Sequence, residues 1–124
     1  MNKNRIVTIS IIVLILLVAG GIIYFKNFTG ASIQDIPSVE VAKWIGENSV
    51  LYVQTGCSHC TTQENLFGEN VKYLTIIDCI TSEENKQMCI SAGIEGTPTW
   101  IIEGKKYSGV QSIEELKKLT GYQD

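Results

Sequence analysis

The tetrad Cys57-Ser58-His59-Cys60 constrains this chain most, because it lies where an apolar β-type run, Val50-Leu51-Tyr52-Val53, gives way to the helix-like stretch Thr61 to Phe67. A cysteine in the first turn of a helix faces unpaired backbone N–H groups and the positive end of the macrodipole, which stabilise its thiolate. Cys57 is therefore predicted to be a nucleophile near neutral pH. Cys60, three residues on, comes round to the same face and can attack a mixed disulfide formed at Cys57, closing an internal bridge and releasing the partner. His59 is the only histidine; it reads as a polar filler or, between two cysteines, as a cation that further stabilises the Cys57 thiolate, and its position favours the second.

Cys-x-x-Cys has other uses, since two such pairs can hold zinc and one can be an inert staple. The remaining cysteines, Cys79 and Cys89, lack the second short knuckle of a zinc ribbon, so no metal site and no cofactor are expected.

With 124 residues, the chain has room for one small domain and one special segment. The segment is Ile6 to Phe25, free of charge and dominated by Ile, Leu and Val, about the 20 residues that cross a bilayer's hydrocarbon core. Ala19-Gly20-Gly21 is followed by further apolar sequence, Ile22-Ile23-Tyr24-Phe25, which favours a single-pass anchor over a cleaved signal peptide. Lys3 and Arg5 precede the span and only Lys26 follows closely, so the N-terminus is expected in the cytoplasm and the rest outside the cell membrane. The expected organisation is a cytoplasmic N-terminus and transmembrane anchor over 1–26, a linker over 27–37 and a folded domain over 38–124. The linker mixes Gly, Ser, Thr and Asn, and Asn27-Phe28-Thr29 matches a glycosylation sequon.

Charge separates along the same boundary. Of 10 Lys and Arg, three lie up to Lys26, whereas all 13 Asp and Glu follow it, which makes the exported part acidic. Lys105-Lys106 and Lys117-Lys118 are too sparse to offset that repulsion locally, so nucleic acid is excluded as a partner. Four cysteines in so short an exported domain suit an oxidising compartment.

Ser38 caps a predicted helix through about Asn48, and Val50 to Thr55 is a strand. The Cys57 helix stops at Gly68, and Val71 to Asp78 reads as a second strand. Thr81-Ser82-Glu83-Glu84 is a capping box opening a helix that ends at Gly93. Thr99 to Glu103 and Lys105 to Tyr107 form a hairpin across Glu103-Gly104, and Ser112-Ile113-Glu114-Glu115 caps a last helix before Gly121. The fold class is α/β, β-α-β-α-β-β-α with a leading helix behind the transmembrane segment.

That order, with Cys-x-x-Cys at the end of the first strand and Thr97-Pro98-Thr99 leading into the third, resembles the thioredoxin superfamily over roughly Ser38 to Tyr122. The resemblance implies that Pro98 is a cis-proline against the dithiol and that Thr97 presents its backbone to a substrate strand. A closer resemblance is to the thioredoxin-like domain appended to bacterial vitamin K epoxide reductase homologues. It is carried by the run Cys79 to Cys89, by Pro98-Thr99-Trp100-Ile101-Ile102 followed by Gly104-Lys105, and by Tyr107 to Ser112 leading to Gly121-Tyr122. The quinone-reducing helical bundle is missing, so the chain looks like the partner of such a membrane protein, passing its oxidising equivalents to secreted proteins. Cys79 and Cys89 are expected to form a structural disulfide, with a second redox pair as the alternative. Leu51 stands where thioredoxin has a buried aspartate, Gly56 where the superfamily often has an aromatic and Ser58 where proline is common. Trp44 and Trp100 are expected in the core.

The resulting expectation is a membrane-anchored, extracytoplasmic thiol-disulfide oxidoreductase working as an oxidase or isomerase. Cys57 and Cys60 exchange disulfides, His59 tunes the thiolate, and Thr97 and Pro98 dock the thiols of secreted or membrane proteins. The alternatives are a reductive relay, such as one serving cytochrome c maturation, and a redox-silent binding module.

Overall fold

The structure, a computed structural model, describes residues 2–28 and 36–123. The chain divides into two compact units, Met1–Asp35 and Ile36–Asp124. Helix α1 of the first unit runs Lys3–Phe28. Here the expectation of a membrane anchor is corrected: among the described residues no helix is long and apolar enough to cross a membrane. Residues 29–35, most of the expected linker and the Thr of the sequon, lie outside the described residues.

The second unit begins with α2, Val39–Asn48, capped by Ser38, whose hydroxyl accepts from the Val41 N–H at 3.3 Å. Strand β1, Ser49–Val53, follows directly, then α3, Ser58–Asn65. The expected second strand is shorter than Val71 to Asp78, because Gly68–Tyr73 winds into a 3₁₀ helix and only Ile76–Asp78 forms β2. The apolar residues of that run still turn inward: Val71 and Leu74, three apart and so on one face of a 3₁₀ turn, pack on the core. Helix α4, Glu83–Ser91, is capped by Ser82, one residue later than the Thr81 box predicts, since the Thr81 hydroxyl donates to the Asp78 carbonyl instead. Strands β3, Thr99–Ile102, and β4, Lys105–Ser108, join through Glu103 and Gly104, both at positive φ as a tight hairpin turn demands. Helix α5, Ile113–Leu119, is capped by Ser112.

The sheet order is β2-β1-β3-β4, with β1 parallel to β2 and antiparallel to β3. Helices and a central strand in this order make a thioredoxin-like α/β fold. Leu51 and Val53 share one face of β1 with Trp100 and Ile102 of β3, which pair at Leu51↔Trp100 and Ser49↔Ile102. That face packs against Ala42 and Ile45 of α2, Cys60 of α3, Phe67 beyond it and Leu116 of α5. Full burial of a side chain such as Leu51 or Phe67 contributes about 1.5–3 kcal/mol. Trp44 departs from expectation: 39% exposed, it packs edge-on to Tyr122 while its indole donates to the Thr120 carbonyl.

Gly46 lets α2 touch the 3₁₀ segment, for a Cβ there would meet the Tyr73 carbonyl, 2.9 Å from its carbon and closer still to its oxygen. Alanine improves helix propensity by about 1 kcal/mol, but the obstacle is main chain and cannot rotate away. Gly46→Ala is therefore expected to destabilise the domain by about 2 kcal/mol, read as a lower denaturation midpoint. An unchanged or higher midpoint would show that α2 shifts freely over the 3₁₀ segment.

Candidate active site

Strand pairing assembles the site. Because β2 runs parallel to β1, its C-terminal end brings Cys79 beside the C-terminal end of β1, and the Cys79 N–H donates to the Val53 carbonyl at 2.9 Å. Because β3 is antiparallel, its start brings Thr97 and Pro98 to that same edge. Beyond Val53 the chain turns through Gly56, at φ 85°, and the Cys57 N–H donates back to the Gln54 carbonyl at 3.0 Å. The turn delivers Cys57 as the N-cap of α3.

In that position the Cys57 sulfur takes the place of a capping oxygen, accepting from the Cys60 N–H at 3.3 Å. Its thiol also reaches the Thr97 carbonyl at 3.5 Å, and the Thr97-Pro98 peptide is cis. Cys57 is half-buried and Cys60 is buried, and both are free thiols. The Cys57 pKa is held below the ordinary 9.0, first by a hydrogen bond from the Cys60 side chain and further by the Thr97 side chain and the backbone N–H groups of Cys60 and His59, against an opposing push from burial. Cys60 moves the other way, raised above 9.0 chiefly by burial and then by its bond to Cys57. The two thiols are thus driven apart into an accessible nucleophile and a buried acid.

Of the expected residues, the structure brings Cys57, Cys60, Thr97 and Pro98 together. The His59 side chain is exposed, and its backbone N–H is what bears on the Cys57 thiolate. Cys79 and Cys89 are joined in a disulfide ten residues apart, which ties the end of β2 to α4. A groove of about 240 Å³ opens beside Thr97, lined by Gln54, Lys86, Ile90, Ile94 and the disulfide. Leu51 is fully buried against Trp100.

Gln63 escapes a reading by motif. It is completely buried, yet its side-chain oxygen accepts from the Trp100 indole at 3.1 Å and the Gln111 N–H at 2.6 Å, and its nitrogen donates to the Gln111 carbonyl at 3.0 Å. The available signal is spacing, since Cys60, Gln63 and Phe67 recur at three and four residues on the inward face of α3 and the turn that follows it.

No family model matches the chain. Over 106 residues, 80% of its length, it is 38% identical to a protein of Arabidopsis thaliana named thiol-disulfide oxidoreductase LTO1, and it spans 28% of that protein. Among solved structures, a buckwheat glutaredoxin in complex with glutathione is similar at a TM-score of 0.41 and 19% identity, over 68% of this chain and 88% of that one. The plant relative and the thioredoxin-like topology together support the thioredoxin superfamily.

The opposed shifts fix a reactivity pattern. Thiolate fraction rises with pH through the lowered Cys57 pKa, so the midpoint of Cys57 alkylation should fall below pH 9.0 and that of Cys60 above it. Peptide mapping after brief alkylation of the reduced protein measures both. Equal labelling of the two cysteines would contradict the site geometry.

Proposed function

We propose that this chain is a thiol-disulfide oxidoreductase that exchanges disulfides with protein thiols through Cys57 and Cys60. The observation that carries the reading is a capping thiol with a lowered pKa, backed one turn later by a buried thiol with a raised one. The 38% identity to the plant oxidoreductase supports it.

In the oxidising direction, a client thiolate attacks the Cys57 sulfur of the Cys57–Cys60 disulfide. The client–Cys57 bond forms, the Cys57–Cys60 bond breaks, and Cys60 leaves with the electron pair and takes up a proton. A second client thiolate then attacks the client sulfur, forms the client disulfide and expels the Cys57 thiolate, which the helix start and the Cys60 thiol receive. Two electrons pass from client to protein. Thr97 and Pro98 border the reacting sulfur and would hold the client backbone, with the groove beyond Thr97 taking its flanking residues.

The reading extends to setting and partner. A Cys79–Cys89 disulfide beside the site suits an oxidising, extracytoplasmic compartment, where secreted or membrane proteins supply the thiols. The resemblance to domains appended to vitamin K epoxide reductase homologues supports a quinone-linked membrane partner that restores the Cys57–Cys60 disulfide. His59 would add its cation to the thiolate's stabilisation. Because its N–H already bears on Cys57, His59→Ala isolates the side chain where proline would also delete the donor.

Cys60→Ser should accumulate mixed disulfides with client proteins, since Cys57 still attacks client disulfides and the return attack by Cys60 that releases them is lost, whereas Cys57→Ser should accumulate few. Non-reducing electrophoresis after acid quenching gives the comparison, and equal trapping by both variants would reverse the assignment. For His59→Ala, equilibration with a glutathione series should give a potential lower by tens of millivolts, about 30 mV being 1.4 kcal/mol for a two-electron couple. An unchanged potential would confine His59 to its backbone contribution.

A further inference from the structure

We infer that Gln63 is a positioning residue for the dithiol, its buried amide clamping α3, which begins at Cys57 and carries Cys60, to β3 and to the loop that holds Pro98. The inference rests on the proposed role of Cys57 and Cys60. Gln63 lies one turn beyond Cys60, so whatever holds its side chain holds the helix start. Three bonds hold it. Its amide pairs with both main-chain groups of Gln111, N–H to oxygen at 2.6 Å and nitrogen to carbonyl at 3.0 Å, and accepts the Trp100 indole at 3.1 Å.

The anchors are not remote. Trp100 stands two residues after Pro98 on the strand that the Thr97-Pro98 peptide leads into. The Gln111 loop returns to the same place: the Gly109 N–H donates to the Pro98 carbonyl at 2.8 Å, and the Gln111 side chain donates to the Ser108 carbonyl at 3.2 Å. A circuit therefore runs from Cys60 through Gln63 to Trp100 and Gln111, through Gly109 to Pro98, and from Thr97 across 3.5 Å to the Cys57 sulfur. Slack at Gln63 becomes slack between the Cys57 sulfur and the Cys60 thiol, Thr97 side chain and helix-start N–H groups that stabilise its thiolate, and a displacement of this kind weakens hydrogen bonds steeply. A residue serving only to fill the core would not need an amide, because an apolar side chain of the same shape avoids desolvating polar atoms.

Gln63→Met keeps the length and approximate volume while deleting all three bonds. Ultraviolet titration of the thiolate in the reduced full chain should show a raised Cys57 pKa, and exchange with oxidised glutathione near neutral pH should slow by about fivefold. A folded Gln63→Met with wild-type Cys57 pKa and exchange rate overturns the inference, whatever its melting temperature, because lost stability alone would move neither. If Gln63→Met does not fold, Gln63→Glu decides. As a neutral acid it repeats the amide's donor and acceptor pattern, so exchange should match wild type at the same pH while the carboxyl is protonated and fall below wild type at the same pH as it ionises. Exchange insensitive to that titration overturns the inference. A wild-type chain that exchanges with no disulfide would instead overturn the oxidoreductase reading, while the Cys57 titration would still test Gln63.

Discussion

A thiolate needs donors, and at Cys57 the side chains of Cys60 and Thr97 supply them together with the main chain of a helix start. The N–H of Cys60 reaches the sulfur at 3.3 Å and that of His59 contributes, and both point there only because α3 starts at Ser58. At most helix starts an oxygen of Ser, Asp or Asn fills this role. A sulfur in its place turns a device for satisfying orphan N–H groups into one for stabilising a nucleophile. The remaining architecture can be derived from the need to hold that start still. Strand β1 is flanked on both sides, and the two neighbours bring Cys79 and Thr97 to its end.

Burial supplies the second half of the asymmetry. Cys60 lies in the same cluster as Leu51, Phe67 and Trp100 and is 2% exposed, so its charged form is disfavoured while its neutral S–H remains available as a donor to Cys57. One apolar environment thus raises one pKa and helps lower the other. It also explains why the only completely buried amide on α3 has every partner it needs. Among the described residues no buried side-chain nitrogen or oxygen lacks a hydrogen bond, and an unsatisfied Gln63 beside Trp100 would cost about 1–3 kcal/mol.

The sequence discloses what depends on neighbours along the chain and hides what depends on packing. The Ser38 and Ser112 caps, the Glu103-Gly104 turn and the transition from β1 to the Cys57 helix all follow from local chemistry, and the element order follows from them. Val71 to Leu74 misleads because its β-branched and aromatic residues satisfy a strand pattern as well as a 3₁₀ turn, and contact with α2 through Gly46 decides the matter. The apolar run near the N-terminus misleads by composition, as among the described residues no helix meets the length and apolarity of a membrane span. Within the site, the tetrad places Cys57 and Cys60, whereas the approach of Thr97 is a consequence of antiparallel pairing that becomes legible only through a resemblance. Gln63 is hidden for a further reason: its partners lie 37 and 48 residues away.

The two pKa shifts also bear on direction. Once a client is joined to Cys57, two attacks compete. Attack by Cys60 on the Cys57 sulfur returns the client reduced, and it needs a thiolate at a buried group whose pKa is raised, in a site where Leu51 offers no carboxylate to accept the proton. Attack by a client's own second thiol on the client sulfur expels Cys57, whose lowered pKa makes it the better leaving group. The first route is slowed at the nucleophile and the second is hastened at the leaving group. On the proposed activity, a mixed disulfide so partitioned would yield oxidised or rearranged clients more readily than reduced ones, which would favour its oxidase or isomerase form over a reductive relay.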